Sequence, residues 1–194
     1  MNLFLWGALP YIAFTFLIVG TLVRFFYFER NWTTKSSQFL EKKQLRIANP
    51  LFHFGLLCVI GGHVVGVLIP KTWTAAIGIN DHMYHQGALY MGAVAGLIFI
   101  VGFLLLMKRR FTVAELKVNT SRLDKWLYLF LTLAIFSGMA GTLLNASGFF
   151  DYRVSIGPWF RSLLSFMPDP SLMEGVPFMF KFHMLAWMVV AIIF

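Results

Sequence analysis

Only one cysteine, Cys58, occurs in the 194 residues, so no intrachain disulfide can form. Neither a CxxC nor a CxxCH pattern is present, which excludes thiolate-held iron–sulfur clusters and covalently attached c-type haem. Charge is scarce too. Charged residues make up 12% of the chain, against about 25% in a typical soluble domain, and no acidic residue lies well inside an apolar run. What fills the chain instead is hydrophobic, at 59%, with 22 phenylalanines. Such a composition belongs to an integral membrane protein. Arg24 is the first charged side chain, so no positive n-region precedes the first apolar run, which reads as a span and not as a cleaved secretory signal. The formal charge of +8 is placed for membrane topology and not for nucleic acid.

A helix needs roughly 20 mainly apolar residues to cross a bilayer. Five segments meet or approach that length: 5–26, 50–69, 83–107, 123–144 and 176–194. They predict an all-α five-helix transmembrane bundle in a single membrane domain, 1–194. The fifth run is still apolar at its end, MLAWMVVAIIF, with no flanking charge or aromatic belt, and reads as a helix whose C-terminal end is truncated. Six basic residues lie between spans one and two and six between spans three and four. Only Lys71, Arg153, Arg161 and Lys181 lie on the other side. Twelve against four puts both basic loops in the cytoplasm and the N-terminus outside. The outer segment 145–177 contains GPWFRSLLSFMP, expected as a short amphipathic helix at the interface.

The stretch from Asn49 to Pro70, NPLFHFGLLCVIGGHVVGVLIP, carries two histidines, His53 and His63, in an otherwise apolar span. An unpartnered imidazole in hydrocarbon is costly, so such residues are functional candidates. Ten residues separate them, about 15 Å along a helix axis, with His63 toward the outer face. His183 sits about two turns into span five and so matches the depth of His63. Two imidazoles facing each other across a bundle could ligate one haem axially. A partner for His53 would lie about 12 Å deeper along span five, beyond Phe194. His53 and His63 project about 80° apart on a regular helix, an offset that a π-bulged turn at Gly61-Gly62 would change. Gly61, Gly62 and Gly66 fit close approach of a planar cofactor and equally fit small-residue helix packing. The other reading open to these histidines is a proton path in a small channel or transporter.

These residues resemble the gamma subunit of membrane-bound respiratory nitrate reductase, a dihaem cytochrome b, in the style of its Gram-positive members. LFHFGLLCVIGGHVVGVLIP is similar to that family's second helix. LPYIAFTFLIVGTLVRF, WTTKSSQFLEKKQL, DHMYHQGALYMG, FDYRVSIGPWFRSLL and PFMFKFHMLAW extend the likeness over nearly the whole chain. The resemblance implies noncovalent haem b and electron transfer from membrane quinol to a cytoplasmic iron–sulfur beta subunit, which serves a molybdenum alpha subunit that reduces nitrate. It implies that His63 and His183 hold the outer haem. His53 would hold the inner haem with a histidine on the cytoplasmic end of helix five, about five turns after His183 and before a basic tail. A cytochrome b anchor of another cytoplasmic reductase is the neighbouring alternative.

Quinol oxidation releases two electrons and two protons, so its site needs hydrogen-bonding or basic groups near the accepting haem. Asp81, His82, Tyr84 and His85 cluster at the outer mouth of span three. His85 or Tyr84 is expected to bond the quinol hydroxyl, with protons leaving outward; an interfacial belt would use the same residues as anchors. Some members of the family use a lysine at the start of the third helix. The corresponding position here falls near Tyr84 or Gln86, which leaves His82 and Lys71 as further candidates. Arg24, Arg109 and Arg110 could meet propionates of the inner haem or a partner subunit. Arg153, Arg161 and Lys181 could meet those of the outer haem. Snorkelling to lipid headgroups would account for any of them equally.

Overall fold

The computed structural model describes residues 1–27 and 41–194. Arg30 and Lys35 of the first basic loop, and most of WTTKSSQFLEKKQL, lie outside the described residues. Helix α1 spans Phe4–Tyr27 and opens with a π turn over Phe4–Ala8. Helix α2 spans Lys43–Leu68 and is regular as far as His63, then closes in a π turn over Val64–Leu68. There follow α3 (Lys71–Ala76), α4 (Asp81–Thr112), α5 (Ala114–Val118), α6 (Arg122–Leu144), α7 (Ile156–Leu164), a 3₁₀ turn (Pro170–Met173) and α8 (Phe178–Ile193). Among the described residues there is no strand. Helices α1, α2, α4 and α6 are long and apolar enough to cross a membrane. Helix α8 is apolar but has 16 residues, about 24 Å at the helical rise. These five apolar helices form the all-α membrane bundle expected from hydropathy, and the protein is a multi-pass membrane protein.

Local chemistry sets the helix ends. Asn80 caps α4 by accepting from the Met83 amide, and Asp81 occupies the positive first turn while Arg109 and Arg110 occupy the negative last turn. Ser121 and Asp124 make a reciprocal capping box at the start of α6. Arg109 is buried, and its guanidinium donates to both the carboxylate and the carbonyl of Glu41, each at 2.8 Å. Arg110 pairs with Asp124 at 3.5 Å and donates to Thr120. Arg24 donates to the carbonyl of Phe194. Each of the three inner arginines thus has a partner within the chain.

Packing runs in a row, α2 on α4, α4 on α6 and α6 on α8, with α1 against α8. Lipid supplies no hydrophobic drive between helices, so close backbone approach matters. Gly55 of α2 lies against the backbone of Phe99, and Gly102 of α4 lies against that of Phe52; a Cβ at either would overlap the facing chain. Phe99, Ile100, Phe103 and Ile135 form the core around this contact.

Helix α7 is the short amphipathic helix expected in the outer segment. Its apolar face turns into the protein, where Ile156, Trp159 and Leu163 join Trp6, Met173 and Met188 in a second core. The reason is polar as well as apolar. A buried indole N–H needs an acceptor, and Trp159 donates to the carbonyl of Trp6 at 2.7 Å with the two rings edge to face. Tyr11 donates to the Leu163 carbonyl from the other side. Helix α7 therefore caps the outer end of the bundle.

Candidate functional site

The two outer members of the helix row bring His63 and His183 together. Their ring centroids are 6.1 Å apart with 26° between planes. His63 Nδ1 lies 2.8 Å from the carbonyl of Val59, one turn back on its own helix. His183 Nδ1 lies 2.8 Å from the carbonyl of Ala134 on α6, with Ser137 Oγ at 3.3 Å. A carbonyl only accepts, so each Nδ1 carries the proton and each Nε2 keeps its lone pair. This is how ligand histidines are oriented in metal sites. A metal–imidazole bond of about 2 Å, plus about 1 Å from nitrogen to ring centre, spaces two axial rings by about 6 Å. The observed separation fits one iron between them.

Helix α6 makes the room. Ala134, Ser137, Gly138 and Gly141 form a small-residue stripe toward α8, and a Cβ at Gly138 would come within 2.8 Å of His183 Cε1. Gly61 and Gly62, beside His63, face open space. The π turn falls after His63 and not at Gly61-Gly62. His53 and His63 therefore lie on one regular helix and keep their angular offset. His53 repeats the local pattern of His63, with Nδ1 2.9 Å from the carbonyl of Asn49 and an exposed ring edge-on to Phe52.

The π turn sets the outer mouth. It buries Gly66 against Tyr84 and Tyr152, whose hydroxyls lie 3.0 and 3.4 Å from where a Cβ would stand. Those two hydroxyls are 3.3 Å apart. Burial pushes the Tyr152 hydroxyl above its ordinary range, and the bond to Tyr84 adds to this. Lys71 bridges Asp81 at 2.8 Å and Asp151 at 3.0 Å; the hydrogen bond to Asp81, then that to Asp151, raises its ammonium above the ordinary lysine value. His85 is half-buried under Gly148 and donates from Nε2 to the Ala146 carbonyl at 3.1 Å, which leaves its lone pair on Nδ1. His82 is exposed in the first turn of α4.

The three outer cations separate. Arg153 is buried, donates to Thr74 Oγ1 at 2.6 Å and lies 3.7 Å over the ring of Tyr84. Arg161 donates to the carbonyl of Val67 in the π turn at 2.7 Å. Lys181 donates to the Glu174 carbonyl near the surface.

Residues 2–194 match the family model described as nitrate reductase gamma subunit. The chain belongs to that family. It is 46% identical to the nitrate reductase gamma chain of Bacillus subtilis (strain 168), over 97% of its own length and 85% of that protein's. It is 26% identical to the respiratory nitrate reductase 1 gamma chain of Escherichia coli (strain K12), over 100% of its length and 87% of that protein's. A nitrate reductase-like protein of Mycobacterium tuberculosis is 39% identical over 93% of the chain, which spans 28% of that longer protein.

Within this gamma-family chain the histidines singled out by depth meet as a pair, whereas at the outer mouth Tyr84 meets Tyr152 and His85 meets Ala146. Sequence reasoning missed Ser137, Gly138 and Tyr152. The small residues at 134, 137, 138 and 141 are a visible signal for a close helix contact, though not for what it encloses. Nothing in the sequence near Tyr152 announces its contact with Tyr84.

Proposed function

We propose that this chain is the quinol-oxidising b-type cytochrome subunit of a membrane-bound nitrate reductase. It passes electrons from membrane quinol to an iron–sulfur beta subunit at the cytoplasmic face, where a molybdenum alpha subunit reduces nitrate. The observation that carries the reading is the facing pair His63–His183, each imidazole locked by a carbonyl with Nε2 left to bind. Membership of the gamma family supports the partners. Haem iron, when bound, supplies a one-electron carrier within the low-dielectric bundle. His63 and His183 would hold the outer group. His53 would hold an inner group; the remaining histidines among the described residues, His82 and His85, stand at the start of α4.

At the outer mouth the chain's own residues bind and deprotonate quinol. The Tyr84 hydroxyl, above Gly66 and one turn beyond His63, hydrogen-bonds one quinol oxygen. His85, its Nε2–H held by Ala146, takes a proton at Nδ1 and releases it to the outer face. The test is a reduced-minus-oxidised visible spectrum with a pyridine haemochrome assay on the purified protein. A b-type spectrum that loses one haem per chain in His63→Ala and in His183→Ala is expected. A chain without haem would end the cytochrome reading.

A further inference from the structure

We propose that Arg153 and Arg161 form a two-guanidinium anion clamp at the outer end of α2, and that it takes the carboxylates on the edge of the haem held by His63 and His183. The inference rests on the haem reading above.

Arg153 is 4% exposed, and its Nε has no hydrogen-bond partner. A guanidinium stays charged at any ordinary pH, and a buried charge without an opposite one is costly. Among the described residues neither Arg153 nor Arg161 forms an ion pair. Asp151, the carboxylate nearest in sequence, is already committed: Oδ2 accepts from Lys71, and Oδ1 accepts from the backbone N–H of Arg153 itself. Thr74 and the face of Tyr84 offset part of the cost as neutral partners, which leaves the positive charge unneutralised.

Both arginines converge on the turn that follows His63. Arg161 reaches Val67, four residues beyond the ligand position, through one of its nitrogens, and its other donors remain for an anion. Arg153 lies on Tyr84, whose hydroxyl stands over Gly66. Gly157, at the start of α7, lies against Arg161 Nη1, the Val67 carbonyl and the Tyr152 carbonyl at once, which ties the two arginine-bearing segments to the π turn. Guanidinium groups suit carboxylates because their parallel N–H donors match both oxygens. Snorkelling is the reading displaced: Arg153 is too deeply buried to reach headgroups, and Arg161 turns its head inward to a helix carbonyl. Lys181, exposed and bonded to Glu174, is not part of the clamp.

The experiment uses the complete complex purified from membranes, with R153Q, R153K, R161Q and R161K. Haem per chain is read by pyridine haemochrome and the two midpoint potentials by redox titration; the outer haem is the component missing in His63→Ala. The glutamine variants are expected to keep their haem and to move the outer midpoint alone to lower potential, because a cation near the haem favours its reduced form. The lysine variants keep the charge and hold the midpoint near wild type. R161Q reads the clamp by itself if R153Q fails to accumulate, since Arg161 is only half-buried. Unmoved midpoints in R161Q with haem retained would overturn the clamp while leaving the haem reading intact; haem missing from the wild type would overturn that reading itself. Loss of co-purifying anionic phospholipid with unmoved midpoints would assign the guanidinium pair to a lipid phosphate and overturn the carboxylate.

Discussion

His63 on α2 and His183 on α8 stand with ring centroids 6.1 Å apart, yet they are held by different means. The carbonyl that orients His63 belongs to Val59 on the same helix, whereas the carbonyl that orients His183 belongs to Ala134 on α6. His63 keeps its orientation wherever α2 is helical. His183 keeps its own only while α6 and α8 are packed. The pair is therefore as sensitive to helix packing as to the loss of either ligand.

His63→Ala and His183→Ala should each remove the same single haem, and the double variant should remove no more. His53→Ala should remove a spectrally different one. Haem per chain and the split of the reduced α-band check this. Additive loss from the His63 and His183 variants would mean that they do not share an iron.

Gly138→Ala should damage the site more than Ser137→Ala. The added methyl would stand 2.8 Å from His183 Cε1, and the ring has to yield. Disturbing the partners of a ligand histidine typically costs 10–100-fold in metal affinity, and the glycine variant should fall in that range. Ser137 donates to the same Ala134 carbonyl and only assists Nδ1, so its loss should cost less than about tenfold. Haem retention in competition with an apo-haem acceptor protein ranks the two.

The bundle and this pair were legible for one reason: hydropathy gives the spans, charge asymmetry gives their direction, and direction turns sequence position into depth. That argument carries helical residues well and loop residues poorly. It matched His63 to His183 but allowed a π-bulged turn at Gly61-Gly62, because glycines mark where a helix can loosen. The structure has its π turn at Val64–Leu68, where Arg161 on the Val67 carbonyl and the tyrosines over Gly66 hold it. Those partners come from segments some 20 to 90 residues away, and no local pattern announces them. The same holds for Arg153, which composition cannot distinguish from a headgroup anchor until its burial is seen.

Gly102→Ala and Gly55→Ala should destabilise the bundle more than any other alanine on the α2–α4 contact. Each Cβ would overlap the facing backbone, of Phe52 and Phe99 respectively, and a backbone cannot rotate aside as a side chain can. Overpacking of this kind costs about 1–3 kcal/mol. Thermal unfolding in detergent, followed by tryptophan fluorescence, should show both midpoints lowered. The haem held by His63 and His183 should be retained below the transition, since the chain that each Cβ meets, at Leu51–Phe52 and Phe99, lies away from both ligands.

Tyr84→Phe and His85→Ala should affect quinol turnover in different ways. Tyr84 would supply one hydrogen bond, worth about 1 kcal/mol, so its loss should raise KM several-fold with kcat little changed. His85 would move a proton, and removing a positioned acid–base group typically costs about 10²–10⁴ in rate. Steady-state kinetics with a quinol analogue, alongside binding of a quinol-site inhibitor, separates the two. If His85→Ala left both turnover and inhibitor binding unchanged, its role would be lost.

The Lys71 bridge should make the outer mouth loosen at alkaline pH. Lys71 ties the start of α4, through Asp81, to the segment bearing Tyr152, through Asp151. Its ammonium is raised above the ordinary value of 10.5 by those two bonds. A group whose folded value is raised contributes stability that is fully present below the unfolded value and is lost as pH rises through the folded one. Lys71→Met should therefore be less stable than wild type at neutral pH, and the two should converge above pH 10.5. The difference should stay below about 1 kcal/mol, as for other exposed pairs, because the Lys71 and Asp81 side chains are 34% and 69% exposed. Limited proteolysis of segment 145–155 across pH reads this locally. Cleavage of wild type should rise toward the variant's rate as pH increases, and a gap that persisted at high pH would mean that Lys71 holds the segment through the packing of its stem and not through its charge.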